Sequence, residues 1–413
     1  MQVYLVGGAI RDRLLGREVK ERDYVVVGAT PQAMLAMGYR QVGRDFPVFL
    51  HPQTHEEYAL ARTIRSSSHH PGQLVSDTSV TLEEDLSRRD LTVNAIAEDG
   101  EGALIDPFGG VEDLRKGVLR HVSGAFTDDP VRVLRLARLM ARYSERDFQV
   151  AAETVQLIRR MAEAGELDDL VAERVWQELV KTLAEARPER FFECLRELGV
   201  LQRIFPEIDA LWGVPQPKRW HPEVDCGIHT MMALAAACRL SDDPLVRFAV
   251  LTHDLGKATT PERILPSHYG HEARGARLVE GFSHRLKAPT SFREFAVRCA
   301  TYHTYLHRLY ELRPKTVLKL LNGLDLFRQP QNLDRFVQVC QADYQGREGF
   351  QQRDYPQARD LISAYEAARE VTSDKFRPTI TGRLLGDAIH RERIRRIAQV
   401  MEPIKQQQEC RQQ

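Results

Sequence analysis

The sequence predicts an α/β head followed by a mostly α-helical remainder. Short apolar runs such as Val3–Val6 and Tyr24–Val27 alternate with helix-like segments in the first hundred residues, which is typical of a mixed α/β domain. From about Asp128 onward, and clearly over 131–140, apolar residues recur at helical spacing instead. The proline-rich stretch Val214–Pro217 then marks a boundary between two helical blocks.

These patterns divide the 413 residues into four predicted regions. We expect a head with the start of a neck at 1–140, a helical neck at 141–220, a histidine-rich helical domain at 221–330 and a helical tail at 331–413. The chain has 58 basic and 58 acidic residues, and this balance excludes a protein that coats nucleic acid by charge alone. Its longest uncharged apolar stretch, Met231–Cys238, is far shorter than the roughly 20 residues of a membrane span.

Local signals define the elements of the head. A glycine pair after the first strand opens a helix over Ala9–Leu15, and Pro31–Met37 is a second helix because proline is tolerated in a first helical turn. Two strands, Phe46–Leu50 and Glu57–Ala61, flank a turn-prone segment. We expect a mobile loop over Ser66–Ser79, which has little apolar content. Helical spacing recurs over 151–164, 172–186 and 228–330.

The cysteines and the N-terminal segment indicate in which cellular compartment the protein is expected. Six cysteines are scattered along the chain without a Cys-x-x-Cys pair, which favours free thiols in a reducing environment and argues against structural zinc. The segment Met1–Val6, followed by two glycines, is too short for a signal peptide. We therefore expect a cytoplasmic protein.

The first candidate site combines a glycine turn with two carboxylates. Gly7 and Gly8 would let the backbone approach a phosphate closely, and Arg11 would add a charged contact one turn later. Glu21 and Asp23 stand two residues apart at the start of a strand, so their side chains point to the same face. Such a pair suits hard divalent cations. Alone, each segment also fits a tight turn or a solvated strand end.

Arginines in two further segments favour an anionic partner for this site. Arg89 lies within 85–94, among hydroxyl and amide groups suited to triphosphate and ribose contacts. Arg132, Arg135 and Arg138 recur every third residue and therefore lie along one side of a helix. A solvated arginine face has the same pattern, but three arginines beside an apolar stripe favour contacts with anions.

A second candidate site is rich in histidine. His229 stands at the start of one predicted helix, and the pair His253-Asp254 follows another apolar segment just before a Gly-Lys dipeptide. Imidazole and carboxylate groups together suit a borderline metal ion that can activate water. The same block also contains His268, His271, His303 and His307.

Taken in order, these motifs resemble the class of tRNA nucleotidyltransferases that includes bacterial CCA-adding enzymes and poly(A) polymerases. The motifs are Gly-Gly-x-x-Arg-Asp, an acidic-x-Asp pair, Arg-Arg-Asp-Leu-Thr-x-Asn-Ala, Asp-Asp-x-x-Arg and Glu-Arg-x-x-x-Glu. The His-Asp pair resembles the HD superfamily of metal-dependent phosphohydrolases. The resemblance covers the whole chain and is closest to bacterial members with an appended HD domain. It implies a polymerase-β-like nucleotidyltransferase head, a neck, an HD domain and a tail that binds tRNA.

The resemblance implies a role for individual residues of the head. Glu21 and Asp23 would hold catalytic Mg²⁺, and Glu57 on a nearby predicted strand is a candidate third carboxylate. Asp129 and Arg132 would select cytosine and then adenine by side-chain hydrogen bonds. The implied nucleotide contacts come from Gly8, Arg11, Arg89, Asp129, Arg132, Arg135 and Arg138.

The resemblance also implies the reactions. The 3′-hydroxyl of a tRNA would attack the α-phosphorus of CTP or ATP, and pyrophosphate would leave. His229, His253 and Asp254 would hold Ni²⁺ or another transition metal, with His253 and Asp254 as catalytic residues of a phosphatase, 2′-nucleotidase and 2′,3′-cyclic phosphodiesterase. Either Asp343 or His303 would supply a further ligand.

Two alternatives remain open from the sequence. One is a poly(A) polymerase of the same family, against which the HD domain argues. The other is an RNA-binding HD phosphohydrolase with an inactive head, against which the Glu21 and Asp23 pair argues. The expected partners are the tRNA 3′ end, CTP and ATP, without DNA or membrane, in a monomer or homodimer.

Overall fold

The chain folds into two compact units, Met1–Leu170 and Val171–Gln413. The first unit contains the sheet and the second is helical, which confirms the predicted fold class. None of the helices in the described ranges is long and apolar enough to cross a membrane. The computed structural model describes residues 1–42, 48–67, 70–376 and 382–412.

The sheet of the first unit has the spatial order β3-β4-β5-β2-β1-β8-β9. Strand β1 pairs antiparallel with β2, and β2 pairs parallel with β5. Side chains alternate along a strand, so the two faces of the sheet bury different residues. Val25 belongs to one apolar cluster, and Val26 belongs to the other. The strands are β1 (Gln2–Val6), β2 (Asp23–Val27), β3 (Arg40–Val42), β4 (Val48–Leu50), β5 (Glu57–Leu60), β6 (Thr63–Ser67), β7 (His70–Val75), β8 (Ala97–Glu98), β9 (Leu104–Ile105), β10 (Val118–Leu119) and β11 (Gln149–Val150).

The expectation of a loop over Ser66–Ser79 is wrong for much of that segment. Strands β6 and β7 pair antiparallel, from Thr63 opposite Val75 to Ser67 opposite His70. Backbone hydrogen bonds can join two strands whatever their side chains are. The low apolar content of this segment therefore did not exclude strands. Residues 68 and 69 of this segment, and residues 46 and 47 of the predicted strand Phe46–Leu50, lie outside the described residues.

The helices of the first unit place its arginines. In α5 the apolar residues Val133, Leu136 and Met140 are buried, while Arg135 is exposed on the opposite side. Helix α3 begins with a capping box between Thr81 and Glu84, which fixes the chain just before the arginine motif. The helices are α1 (Gly8–Leu14), α2 (Pro31–Ala36), α3 (Leu82–Ser87), α4 (Gly110–Lys116), α5 (Arg132–Arg142) and α6 (Ala152–Glu163).

The second unit packs α12 against α11, α14 and α16. The Asp225 side chain caps α11 by accepting from the Ile228 amide at 2.9 Å, which places His229 in the first turn of that helix. The helices are α7 (Ala172–Leu183), α8 (Glu189–Glu197), α9 (Leu201–Ile204), α10 (Pro206–Asp209), α11 (Cys226–Leu240), α12 (Pro244–Thr252), α13 (His271–Arg285), α14 (Thr290–His307), α15 (Pro314–Gly323), α16 (Asn332–Gln345), α17 (Gln357–Arg369) and α18 (Gly382–Gln412).

Candidate active sites

One cavity of about 520 Å³ in the first unit brings the predicted head residues together. Carboxylates, arginines and the glycine turn all contribute to its lining, so the separate sequence motifs form one site. The predicted residues in the lining are Gly8, Arg11, Glu21, Asp23, Arg89, Asp129, Arg132, Arg135 and Arg138. The candidate third carboxylate, Glu57, lies opposite Asp23 in the β2–β5 register but is not among the lining residues.

The acidic pair lies where β2 begins. Asp23 is the first residue of the strand, and Glu21 precedes it by two positions. Partial burial raises the pKa of Asp23, Glu21 raises it further, and the charges of Arg89 and Arg135 act in the opposite direction. Two neighbouring carboxylates are a fitting ligand set for a divalent cation, because the positive ion relieves the repulsion between them.

The glycine turn is tightly constrained. Gly7 has a φ of +71°, and a Cβ atom there would lie 3.1 Å from Nη1 of Arg89. The positive φ favours glycine at this position, and a side chain there would also push the Arg89 guanidinium aside. Arg11, in the first turn of α1, is only 7% exposed. Its Nε donates to Asp12 at 3.0 Å, and its Nη1 donates to the side chain of Asn94.

Asp90 organises the arginine side of the cavity. It accepts hydrogen bonds from Nε of Arg135 at 2.8 Å, Nδ2 of Asn94 at 2.9 Å and the Leu91 amide at 2.9 Å. Burial opposes ionisation of Asp90, but the charge of Arg135 and these hydrogen bonds outweigh it and lower its pKa to about 2. Asp90 is therefore an anion that holds Arg135 in place.

Arg132 is held by the backbone. Its Nη1 donates to the carbonyl of Ala125 at 2.6 Å, and its Nη2 donates to the carbonyl of Arg88 at 2.8 Å. Partial burial lowers its pKa, although Asp90 and Asp129 act to raise it. The guanidinium is thus positioned beside Asp129 by two bonds that do not depend on a ligand.

Sequence reasoning missed part of this cavity. Asp90 and Asn94 belong to the arginine motif and could have been chosen because a row of arginines beside an apolar stripe needs acceptor groups. Arg62 carried no such signal, since it joins the cavity only through the fold. The further charged lining residues are Asp12, Lys20, Arg62, Asp85, Arg88, Asp90 and Arg142.

The second unit holds a buried cluster of imidazoles and carboxylates. His229 comes from α11, the pair His253-Asp254 follows α12, and each of the other three members belongs to a different helix. The cluster consists of His229, His253, Asp254, His271, His303 and Asp343, all between 0% and 8% exposed. The structure thus brings in both sequence candidates for the further ligand, Asp343 and His303.

The distances within this cluster are those of converging ligands. Nε2 of His229 lies 3.1 Å from Oδ1 of Asp343 and 4.0 Å from Oδ2 of Asp254. Nε2 of His253 lies 3.2 Å from Oδ2 of Asp254 and 3.7 Å from Oδ2 of Asp343. Buried Nε2 of His253 and Oδ1 of Asp254 make no hydrogen bond in the described ranges. These orphaned atoms and this donor set fit a transition-metal ion.

Outer contacts orient the cluster. Oε1 of Glu223 lies 2.9 Å from Nδ1 of His229, so Nε2 faces the other ligands. Lys257 lies 2.6 Å from Oδ2 of Asp254, and His307 lies 2.6 Å from Oδ2 of Asp343. Burial opposes ionisation of Asp254, yet His253 and Lys257 hold its pKa well below the ordinary value. Glu223, which lies in a loop, was not among the residues predicted for this site.

Three family models match the chain. They describe a poly A polymerase head domain over residues 3–120, a probable RNA and SrmB-binding site of polymerase A over 147–211, and an HD domain over 227–343. The head cavity lies mainly within the first match, and the histidine cluster lies within the third, which ends at Asp343.

Solved structures show the same fold. The Bacillus stearothermophilus CCA-adding enzyme in complex with CTP aligns with a TM-score of 0.64 and 23% identity, covering 98% of this chain and 94% of its own. The Thermotoga maritima CCA-adding enzyme complexed with tRNA aligns with a TM-score of 0.61 and 21% identity, covering 98% and 90%.

Full-length relatives are much more similar in sequence. The multifunctional CCA protein of Thioalkalivibrio sulfidiphilus is 55% identical over 405 residues, covering 97% of this chain and 98% of the relative. That of Nitrosococcus oceani is 56% identical over 409 residues, covering 97% and 99%. With a matching head, a matching HD domain and this identity along nearly its whole length, the chain belongs to the multifunctional CCA protein family.

Proposed function

We propose that this protein adds and repairs the 3′-terminal CCA of tRNA from CTP and ATP, releasing pyrophosphate, and that its HD domain hydrolyses phosphate groups at RNA ends. The observation that carries the proposal is that Glu21 and Asp23 line the same cavity as a set of arginines, of which Arg135 is held by Asp90. Membership of the multifunctional CCA protein family supports it.

In the head, the side chains would contribute to the reaction mainly by positioning the nucleotide. Arg135, held by Asp90, and Arg138 on the same helix face would bind the triphosphate, while Asp129 and Arg132 would read the base edge. Arginine offers only donors and aspartate only acceptors, so together they match cytosine or adenine better than uracil or guanine. Glu21 and Asp23 would hold Mg²⁺, which lowers the pKa of the attacking hydroxyl and neutralises charge on the leaving oxygen.

In the HD domain, the buried cluster would hold Ni²⁺ or another transition metal that activates water toward a phosphate. His253 and Asp254 would be the central ligands, with His229 and Asp343 completing the set. Opening a 2′,3′-cyclic phosphate and removing the remaining phosphate would restore the hydroxyl on which the head acts. The two sites would then serve one repair process.

The test is a tRNA that lacks its 3′ CCA, incubated with labelled CTP and ATP separately and together. We expect CMP incorporation with CTP alone, essentially no AMP incorporation with ATP alone, and a complete CCA end with both. A long adenosine tail from ATP alone would identify a poly(A) polymerase instead. Absence of any incorporation, with hydrolysis of RNA-end phosphates intact, would support the RNA-binding phosphohydrolase.

A further inference from the structure

Arg347 places a guanidinium group against the histidine cluster. Its Nη2 is 3.5 Å from Oδ1 of Asp343, and its Nε is buried and makes no hydrogen bond within the described residues. We propose that Arg347 binds the phosphate group that the HD domain hydrolyses, with Nε donating to a phosphate oxygen. This proposal rests on the phosphohydrolase function proposed above and names the side chain that would recognise the phosphate of its substrate.

The contact between Arg347 and Asp343 is long for a principal interaction. Hydrogen bonds from a guanidinium group to a carboxylate are usually about 2.7–2.9 Å long. Asp343 also has closer neighbours, because its Oδ2 lies 2.6 Å from Nε2 of His307 and its Oδ1 lies 3.1 Å from Nε2 of His229. Asp343 therefore does not depend on Arg347 as its donor, and the guanidinium can serve another acceptor.

Lys257 is a cation of the same cluster whose ammonium group already has acceptors. Its Nζ lies 2.6 Å from Oδ2 of Asp254 and donates to Oε1 of Gln216 at 2.6 Å. Arg347 differs from Lys257, because its buried Nε has no acceptor in the part of the chain that the structure describes. A buried N–H group without an acceptor is costly, so its presence indicates a ligand that supplies one.

Arg347 keeps partial access to solvent beside the buried ligands. The side chains of Arg347 and His307 are 12% and 16% exposed. Those of His229, His253 and Asp254 are at most 2% exposed. A phosphate group that approaches the cluster from this side would therefore contact the guanidinium.

The backbone on both sides of Arg347 is fixed. A Cβ atom at Gly346 would lie 2.4 Å from Cα of Ala233, so the chain that leaves α16 packs directly on α11. On the other side, the amide of Glu348 donates to Oε2 of Glu223 at 3.3 Å. The segment that carries the guanidinium is thus in place before a substrate binds, which reduces the entropy lost on binding.

A phosphate group is the ligand that suits this donor. Guanidinium presents its donors in a planar fork that matches two oxygens of one phosphate, and it stays protonated. A terminal phosphomonoester and a 2′,3′-cyclic phosphate both offer two such oxygens, so Arg347 would serve both hydrolytic reactions. The monoester carries the larger negative charge, and we expect the contribution of Arg347 to be larger for it.

The experiment measures competition by inorganic phosphate in the full chain loaded with Ni²⁺. Inorganic phosphate should inhibit hydrolysis of an RNA-end phosphate by the wild type. Arg347→Ala should weaken this inhibition about tenfold or more and raise KM for the RNA similarly, because a hydrogen bond to a charged group is lost. The matched control Arg353→Ala, an exposed arginine in the same connection between α16 and α17, should behave like the wild type.

Two further measurements separate phosphate binding from a structural role. Bound nickel and CMP incorporation should be the same in Arg347→Ala as in the wild type. Arg347→Lys keeps the charge but lacks the guanidinium fork, so its inhibition by phosphate should stay well below that of the wild type. Unchanged inhibition in Arg347→Ala, or loss of its nickel, would overturn the proposal. An Arg347→Lys protein that matches the wild type would also overturn it, because a charge beside Asp343 would then suffice.

Failure of the proposed function would be visible separately. If the wild type hydrolysed no RNA-end phosphate, that function would fall. Calorimetry would then compare the binding of inorganic phosphate to Arg347→Ala and to Arg353→Ala. Weaker binding to Arg347→Ala would retain Arg347 as a phosphate-binding residue, and equal binding would overturn the proposal as well.

Discussion

In the head cavity some of the charged groups, such as Arg135, keep access to solvent, whereas the charged groups of the HD cluster are all buried. The side chain of Arg135 is 46% exposed beside Asp90, while His253 and Asp254 are at most 2% exposed. Exposed ion pairs are weak and are easily exchanged for contacts with an incoming anion. Buried pairs are costly to break and suit an ion that stays in place. The difference fits a head that exchanges nucleotides in every cycle and a cluster that retains its metal.

Removing a head carboxylate should have one of the two largest effects. Asp23→Ala should lower CMP and AMP incorporation about a thousandfold, because loss of a catalytic metal removes several kcal/mol of transition-state stabilisation. Hydrolysis of RNA-end phosphates should persist. Nucleotide incorporation and phosphate release, measured on the same preparations, check this, with Glu101→Ala at an exposed turn as the matched control. Near-normal incorporation by Asp23→Ala would rule out the two-metal assignment.

A substitution in the HD cluster should have a comparably large effect, but on the phosphohydrolase activity. His253→Ala should abolish phosphohydrolase activity to a similar extent and leave CCA addition close to that of the wild type, because its Nε2 faces only the buried cluster. The check is release of inorganic phosphate alongside nucleotide incorporation. Loss of both activities would show that His253 has a structural role and that the two sites are not independent.

The arginine row should control selectivity more than rate. Arg132→Ala should reduce discrimination between correct and incorrect nucleotides about fivefold to 150-fold, which corresponds to about 1–3 kcal/mol for one lost base-reading contact. Competition assays with all four nucleotides would measure this. Arg115→Ala, an exposed arginine of the same unit, is the control. Unchanged fidelity would mean that Arg132 serves only its bonds to the carbonyls of Ala125 and Arg88.

The smallest expected effect concerns acid stability. The pKa of Asp90 is about 2 in the folded protein, below its ordinary 3.8, so its ionised form stabilises the fold above about pH 5 and this contribution is lost as the pH falls toward 2. The difference in unfolding free energy between wild type and Asp90→Asn should therefore shrink by about 2 kcal/mol over that range. Urea unfolding followed by circular dichroism measures it, with Glu101→Gln as control. A pH-independent difference would contradict the ion pair.

The two regions also differ in how far the sequence predicted them. Several head residues could be found because their motifs stand at the boundary of an element: Gly7 directly follows β1, and Asp23 begins β2. The HD cluster was only partly predictable. His253 and Asp254 are adjacent, but Asp343 lies on α16, beyond the boundary predicted at residue 330, and joins them only through helix packing.

Other features depended on tertiary structure in the same way. Pairing of β6 with β7 was missed because it relies on backbone bonds that composition does not encode. The role of Glu223 was missed because it arises where a loop meets α11. The three domain boundaries predicted from the sequence stay predictions.

The two sites should act in turn, and independently of each other, on one RNA end. The most direct measurement uses a tRNA that lacks CCA and ends in a 2′,3′-cyclic phosphate, with CTP, ATP and both metals. The wild-type protein should convert this blocked tRNA to one with a CCA end. His253→Ala should leave the blocked tRNA unchanged but should extend the same tRNA when it ends in a hydroxyl. Asp23→Ala should remove the phosphate from the blocked tRNA without extending it. Mixing the two variants should restore repair. Extension of the blocked tRNA by His253→Ala alone would contradict the account.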